Sequence, residues 1–173
     1  MQARTFWRTV TADRADLLDR LIGLLTDRGI RYCVVGGLAV NAYVEPVVSL
    51  DLDVVIALDQ LAAANTLLRG AFVVEEFPHS LNVSAPDSDL RVQIQTDPRY
   101  APFVDRASPR SLLGLQLPVA RLEDVLQGKI WAVMDESRRP SKRQKDLADA
   151  ARILEAYPPL RQQVPAEVLA KLV

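Results

Sequence analysis

Asp51 and Asp53 alternate with Leu52 and Val54 in the run Asp51-Leu52-Asp53-Val54-Val55-Ile56. In a strand successive side chains take opposite faces, so both carboxylates point the same way, roughly 7 Å apart along the chain. Two anions that close repel each other unless a cation sits between them. Paired oxygen donors of this kind suit Mg²⁺ or Mn²⁺. Taken alone, an Asp-x-Asp pair reads as a strand end whose acids face water. The stretch upstream changes that reading. Tyr32-Cys33-Val34-Val35 has a buried-strand pattern, Gly36-Gly37 follows as a tight turn, and thirteen residues separate Gly37 from Asp51. Glycines let the backbone approach a ligand closely. The amides of Leu38 and Ala39, opening the next helix, offer a ready anion site. The same glycines equally serve a strand-to-helix turn that needs small residues for packing.

These residues need elements to position them. Thr11 can cap a helix carrying Leu17, Leu18, Leu21, Leu24 and Leu25 at helical spacing, with Gly29 ending it. Arg31–Val35 is the first strand, and a short helix from Leu38 stops near Tyr43, before Pro46. Ser49 lies two residues before Asp51 and is either a plain loop serine or a contact near the metal or phosphates. The acidic strand, Asp51–Ala57, leads to a helix over 59–69 ended by Gly70. Strands follow at 71–75, 80–84 and 90–95. In the last of these Arg91, Gln93 and Gln95 share one face and Val92 and Ile94 the other. The segment 97–118 holds four prolines and reads as an ordered loop with one short helix. A helix from Leu122 to about Glu136 carries Lys129 inside its apolar stripe, where a lysine must either snorkel out or meet an anion. Pro140 and Ser141 start the last long helix, with Ser141 and Gln144 forming a capping box. A short helix from about Pro165 completes the chain. Arg138, Arg139, Lys142, Arg143 and Lys145 concentrate positive charge at the long helix's start, either a solvated face or a phosphate or RNA contact.

Composition narrows the classes. Apolar residues make up 49% of 173, charged residues 25%, and the net charge is −1, so any basic surface is local. One domain over residues 1–173 fits this length, with its core at about 15–157. The lone Cys33 sits in an apolar strand and reads as a small core residue in a reducing cytoplasm. One histidine, His79, excludes a His-rich metal site and reads as exposed. Neither a secretory segment nor a membrane span is expected.

Val35-Gly36-Gly37 followed by Asp51-Leu52-Asp53-Val54 resembles the signature of the polymerase-β-type nucleotidyltransferase superfamily, with a long spacer. Gly36-Gly37-Leu38-Ala39-Val40, Lys129 and Lys145-Asp146-Leu147-Ala148-Asp149 resemble the AbiEii-type branch, which includes toxins of type IV toxin–antitoxin systems. The resemblance implies an α/β (α+β) protein with the minimal nucleotidyltransferase fold, a mixed sheet packed by helices with further helices at the C-terminus. It implies a nucleoside triphosphate (NTP) donor held by Gly36, Gly37, Leu38 and Lys129, with Ser49 as a further contact if it is not a plain loop serine. It also implies Mg²⁺ or Mn²⁺ held by Asp51 and Asp53, with Lys129 gripping the triphosphate as a point charge. Asp146, with Asp149 beside it, would position Lys129 or the acceptor.

Two departures stand out. Many superfamily members carry serine directly after the first glycine, where this chain has Gly37. The usual third carboxylate of a neighbouring strand falls at Gln93 or Gln95, and a glutamine cannot take a proton at neutral pH. Asp97 is the substitute if the strand continues. Three readings follow. The first is an active enzyme moving a nucleoside monophosphate to RNA (tRNA included, through the 138–145 cluster), to a protein hydroxyl or to a small molecule, with a cognate antitoxin as partner. The others are a catalytically silent nucleotide-binding relative and a non-enzymatic interaction module.

Overall fold

The computed structural model describes residues 17–49, 51–86 and 88–172. The first helix is described from Leu17, so its expected start at Thr11 lies outside the described residues. That helix, α1 (Leu17–Asp27), buries Leu17, Leu18, Leu21 and Leu25, and Gly29 ends it in the left-handed conformation at φ +65°. β1 (Tyr32–Val35) is buried throughout. α2 (Gly36–Val40) begins two residues earlier than its apolar pattern suggests. β2 is Asp51–Ile56. α3 (Leu61–Ala71) runs through Gly70 instead of stopping there, which moves β3 to Val73–Phe77. β4 (Ser80–Ser84) and β5 (Arg91–Gln95) follow.

The expected loop over 97–118 is a correction. After a 3-10 turn at Pro98–Tyr100 and a one-turn helix α4 (Phe103–Arg106), it forms a hairpin of β6 (Ser108–Leu112) and β7 (Leu115–Val119). Leu113 and Gly114 both have positive φ, the mark of a two-residue hairpin turn whose twist matches its strands. A Leu-Gly pair is a weak turn signal, and prolines argue against strands. Here Pro109 lies on the edge strand and pairs with Pro118, and β7 meets β1 only at Val34 and Val119.

The C-terminal part is helical: α5 (Leu122–Met134), α6 (Pro140–Ala156), a 3-10 stretch at Pro158–Gln163, and α7 (Ala166–Leu169). The expected capping box at Ser141 does not form. Arg139 is the N-cap and makes no side-chain cap bond, because Pro140 occupies the first helical position with its φ already suited to a helix.

Among the described residues seven strands make one mixed sheet in the order β3-β4-β5-β2-β1-β7-β6. β2 runs antiparallel to β1 and parallel to β5, and β1 runs parallel to β7. Leu52, Val54, Val92, Ile94, Leu81 and Val83 fill the apolar face and are buried. The other face of β2, β5 and β4 carries Asp51, Asp53, Gln93 and Asn82. α2, α5 and α6 pack against one another beside this face, and α2 packs on β1 and β2. Cys33 is fully buried, and burial pushes its thiol up to about 12, so it is core. Among the described residues no helix is long and apolar enough to cross a membrane.

Candidate active site

Register places the acids. Val35 pairs with Asp53 across β1 and β2, so the Asp53 carboxylate lies against the residue that follows Val35. That residue, Gly36, has φ +71°, and a Cβ on it would overlap the Asp53 side chain. Glycine is required here for its backbone and for its missing side chain. Gly37 is less constrained: a Cβ would sit 3.6 Å from Ser49 Oγ and 3.9 Å from Asp149 Oδ2. Leu38 is buried, with 2% of the residue exposed. Ser49 is buried too. Its hydroxyl donates to the Asp51 carbonyl at 3.3 Å and accepts from the Asp51 amide at 3.4 Å, which sets the chain's entry into β2.

The two acids differ in surroundings. Asp51 Oδ1 lies 2.7 Å from Arg91 Nε, in an ion pair across β2 and β5. Asp53 is half-buried, and burial pushes its carboxyl up to about 6. Lys129 opposes that rise, Asp51 adds to it, and Arg138 and Lys142 oppose it. Among the described residues no group of three or more acidic, histidine or cysteine side chains is placed to hold a metal. The neighbour of Asp53 on β5 is Gln93, directly opposite in register, with Gln95 two positions on. Both glutamines therefore share the face of the acids.

Asp97 does not join them. β5 ends at Gln95, and Asp97 turns to cap the 3-10 segment, accepting from the Arg99 amide at 3.0 Å and pairing with its guanidinium at 2.9 Å. Burial would raise its pKa, but the Arg99 side-chain and amide hydrogen bonds hold the carboxyl below the usual range. The strand therefore does not carry Asp97 onto the face of the acids, the condition on which the sequence offered it as a substitute.

Lys129 meets its anions on α6. Its Nζ lies 3.0 Å from Asp146 Oδ1 and 2.9 Å from Asp149 Oδ2, all three side chains being buried. Arg138 Nε pairs with the other Asp146 oxygen at 2.6 Å, and Arg152 with the other Asp149 oxygen at 2.9 Å. Two carboxylates thus face three cations, and of these five groups Lys129, Arg138 and Asp146 line the cleft, together with Asp53. Burial alone would lower the Lys129 pKa, but Asp146 and Asp149 hold it above its ordinary value, so the ammonium stays charged. It donates to Asp146 Oδ1, while Asp149 Oδ2 lies at ion-pair distance without a hydrogen bond of its own.

A cleft joins these parts, bounded by Gly36, Asp53, Gln93, Lys129, Arg138 and Asp146. Tyr100 and Asp124 also line it, and neither stood out in the sequence. Tyr100 lies against Gly128, where a Cβ would come 3.2 Å from the ring, so a mid-helix glycine admits an aromatic wall. Asp124 is buried and held by Arg106 at 2.8 and 3.0 Å and by Arg121 at 3.1 Å. The Arg121–Asp124 spacing was its one visible signal. Of the basic cluster, Arg138 reaches the cleft and Lys142 overhangs the acids on their other side. Arg139 and Lys145 are exposed.

Solved structures share this fold. One is the antibiotic-resistance factor ANT(2'')-Ia in complex with adenylyl-2''-tobramycin, at 13% identity and TM-score 0.55, over 85% of this chain and 96% of that one. Another is the lincosamide antibiotic adenylyltransferase LnuA bound to lincomycin, at 13% and 0.54, over 83% and 99%. A third is an antigenic nucleotidyltransferase-like protein from Paracoccidioides brasiliensis, at 17% and 0.53, over 96% and 87%. Such identities speak for the fold alone. No curated protein matches the chain. Residues 29–172 match the family model described as nucleotidyl transferase AbiEii toxin, type IV toxin–antitoxin system, and the chain belongs to that family.

Proposed function

We propose that this protein transfers a nucleoside monophosphate from an NTP to an acceptor hydroxyl, with Asp51 and Asp53 holding Mg²⁺ or Mn²⁺. The observation that carries the reading is the register of Asp53 against Val35–Gly36, which sets a carboxylate against the glycine turn in a cleft walled by Lys129. The donor set fits a hard divalent cation: two carboxylates and the neighbouring Gln93 carboxamide, all oxygen. When bound, the cation would neutralise charge on the phosphates and on the attacking oxygen.

The residues of the chain divide the remaining work. The Gly36–Gly37 backbone lets the triphosphate approach, and Lys129 binds it as a point charge. Asp146 and Asp149 orient Lys129, while Arg138 offers a second cation at the wall. The acceptor oxygen forms a bond to the α-phosphorus, the bond to the bridging oxygen breaks, and pyrophosphate leaves. The hydroxyl proton passes to solvent, because Gln93 and Gln95 cannot take it. The AbiEii membership supports an antitoxin protein as partner, and the exposed Arg139 and Lys145 leave RNA, tRNA included, among the acceptors.

The glutamine opposite Asp53 favours a second reading, a silent relative that binds nucleotide without turning it over. One experiment separates them. Titrate the protein with Mn²⁺ and each NTP, and follow pyrophosphate release for the wild type, Asp51→Asn and Asp53→Asn. Metal-dependent binding and release, both lost in the variants, support the enzyme. Binding without release supports the silent relative, and equal binding by all three proteins removes the metal from this pair.

A further inference from the structure

A second cavity opens on the far side of Asp53. Asp53 and Gln93 border both it and the cleft that contains Gly36 and Lys129, so the acids stand on a ridge between two spaces. The second cavity has the sheet itself as its floor. Asp53 pairs with Gln93, Gln93 with Asn82, and Asn82 with Glu75, giving one row across β2, β5, β4 and β3. Strands lie about 4.8 Å apart, so the row runs roughly 14 Å from Asp53 to Glu75. Asn82, Ser84 and Glu75 are exposed, and the Glu75 carboxylate has no ion pair among the described residues. Asp51 and Arg91 neutralise each other in the next row, and Lys142 reaches in from α6.

In-line displacement requires the acceptor oxygen and the departing pyrophosphate on opposite sides of the α-phosphorus. With the triphosphate against Gly36 and Lys129, the acceptor must come from the other side of the ridge. We propose that the sheet-face cavity is the acceptor site and that Gln93, Asn82 and Glu75 select a small, polyhydroxylated acceptor bearing an amine. The carboxamides supply paired donors and acceptors for successive hydroxyls, and Glu75 marks the far end for a cationic group. A phosphodiester chain along the same row would run onto Glu75 with only Lys142 to offset it. The attacking hydroxyl forms its bond to the α-phosphorus and pyrophosphate leaves through the cleft, its proton going to solvent.

This assignment rests on the nucleotidyltransferase reading, so its test keeps the two apart. Calorimetry first measures a non-hydrolysable NTP analogue with Mg²⁺ binding to the wild type, Glu75→Gln and Asn82→Trp. The loaded proteins are then titrated with kanamycin, glucosamine and meglumine as amine-bearing polyols, sucrose as an amine-free polyol, and total tRNA. The expected result is analogue binding within twofold in all three proteins, with at least one amine-bearing polyol binding the loaded wild type. That binding should fall at least tenfold in Glu75→Gln and vanish in Asn82→Trp. Polyol binding that competes with the analogue, or that survives both variants, overturns the assignment. So does binding of none of the amine-bearing polyols, or of tRNA alone with its loss in Asn82→Trp. Absence of analogue binding with the polyol pattern intact refutes the nucleotide reading and leaves the cavity's selectivity standing.

Discussion

Replacing Asp53 with asparagine should stabilise the metal-free protein while abolishing its metal-dependent chemistry. The Asp53 carboxyl is pushed from 3.8 up to about 6 by burial. A gap of one pH unit between folded and unfolded carboxyl corresponds to about 1.36 kcal/mol, so the ionised form costs the folded state about 3 kcal/mol relative to the unfolded chain. Well below pH 4 the group is protonated in both states and costs nothing. As the pH rises the unfolded chain releases its proton first, and the penalty is complete once the pH passes the folded value. Asp53→Asn removes the charge and keeps the size. At pH 7.5 without metal the variant should therefore melt higher, by roughly 6–12 °C for a chain of this length. At pH 4 the advantage should shrink to about 0.5 kcal/mol. Adding Mg²⁺ and NTP should raise the melting temperature of the wild type and leave the variant unmoved. Calorimetric scans at both pH values, with and without ligand, provide the test. If Asp53→Asn melts lower than the wild type at pH 7.5 without metal, Asp53 is a structural partner of Lys129, Arg138 and Lys142, and the argument from burial fails.

Lys129→Met should destabilise the protein by about 3 kcal/mol in urea unfolding, because it leaves Asp146 and Asp149 short of one buried counter-charge. Adding Asp149→Asn should recover part of that loss, whereas an unchanged midpoint for Lys129→Met would mean that the buried triad contributes nothing. Gly36→Ala should cost at least about 2 kcal/mol and abolish Mg²⁺-dependent NTP binding, since the new methyl meets the Asp53 carboxylate at a strained φ. Gly37→Ala is its mild control. Gln93→Asp should increase pyrophosphate release at low Mg²⁺ by adding a carboxylate opposite Asp53, while Asp97→Asn should leave release unchanged because Arg99 already holds that acid. Loss of release in Asp97→Asn would return Asp97 to the site.

Alternation and turn chemistry are local, and what depends on them was legible in the chain. The Asp-x-Asp pair on one strand face, the glycine turn before it, the helix carrying Lys129 in its stripe and the buried Cys33 strand all follow from residue types at short spacing. The hairpin over Ser108–Val119 was not legible, because its prolines are tolerated only where an edge strand and a barely paired neighbour leave their missing N–H groups without consequence. Nor was the fate of Asp97, which hinges on the strand ending at Gln95 and on Arg99 reaching back to it. The sequence determined by itself that two carboxylates, two glycines and a stripe lysine exist to be brought together. Only the tertiary structure decided that Gly36 must lack a side chain because Asp53 lies against it, that Lys129 is held by two acids one turn apart on α6, and that a polar row reaches from Asp53 to Glu75. Each of these is a long-range pairing of strands or helices, set by register and packing and not by the spacing of residues along the chain.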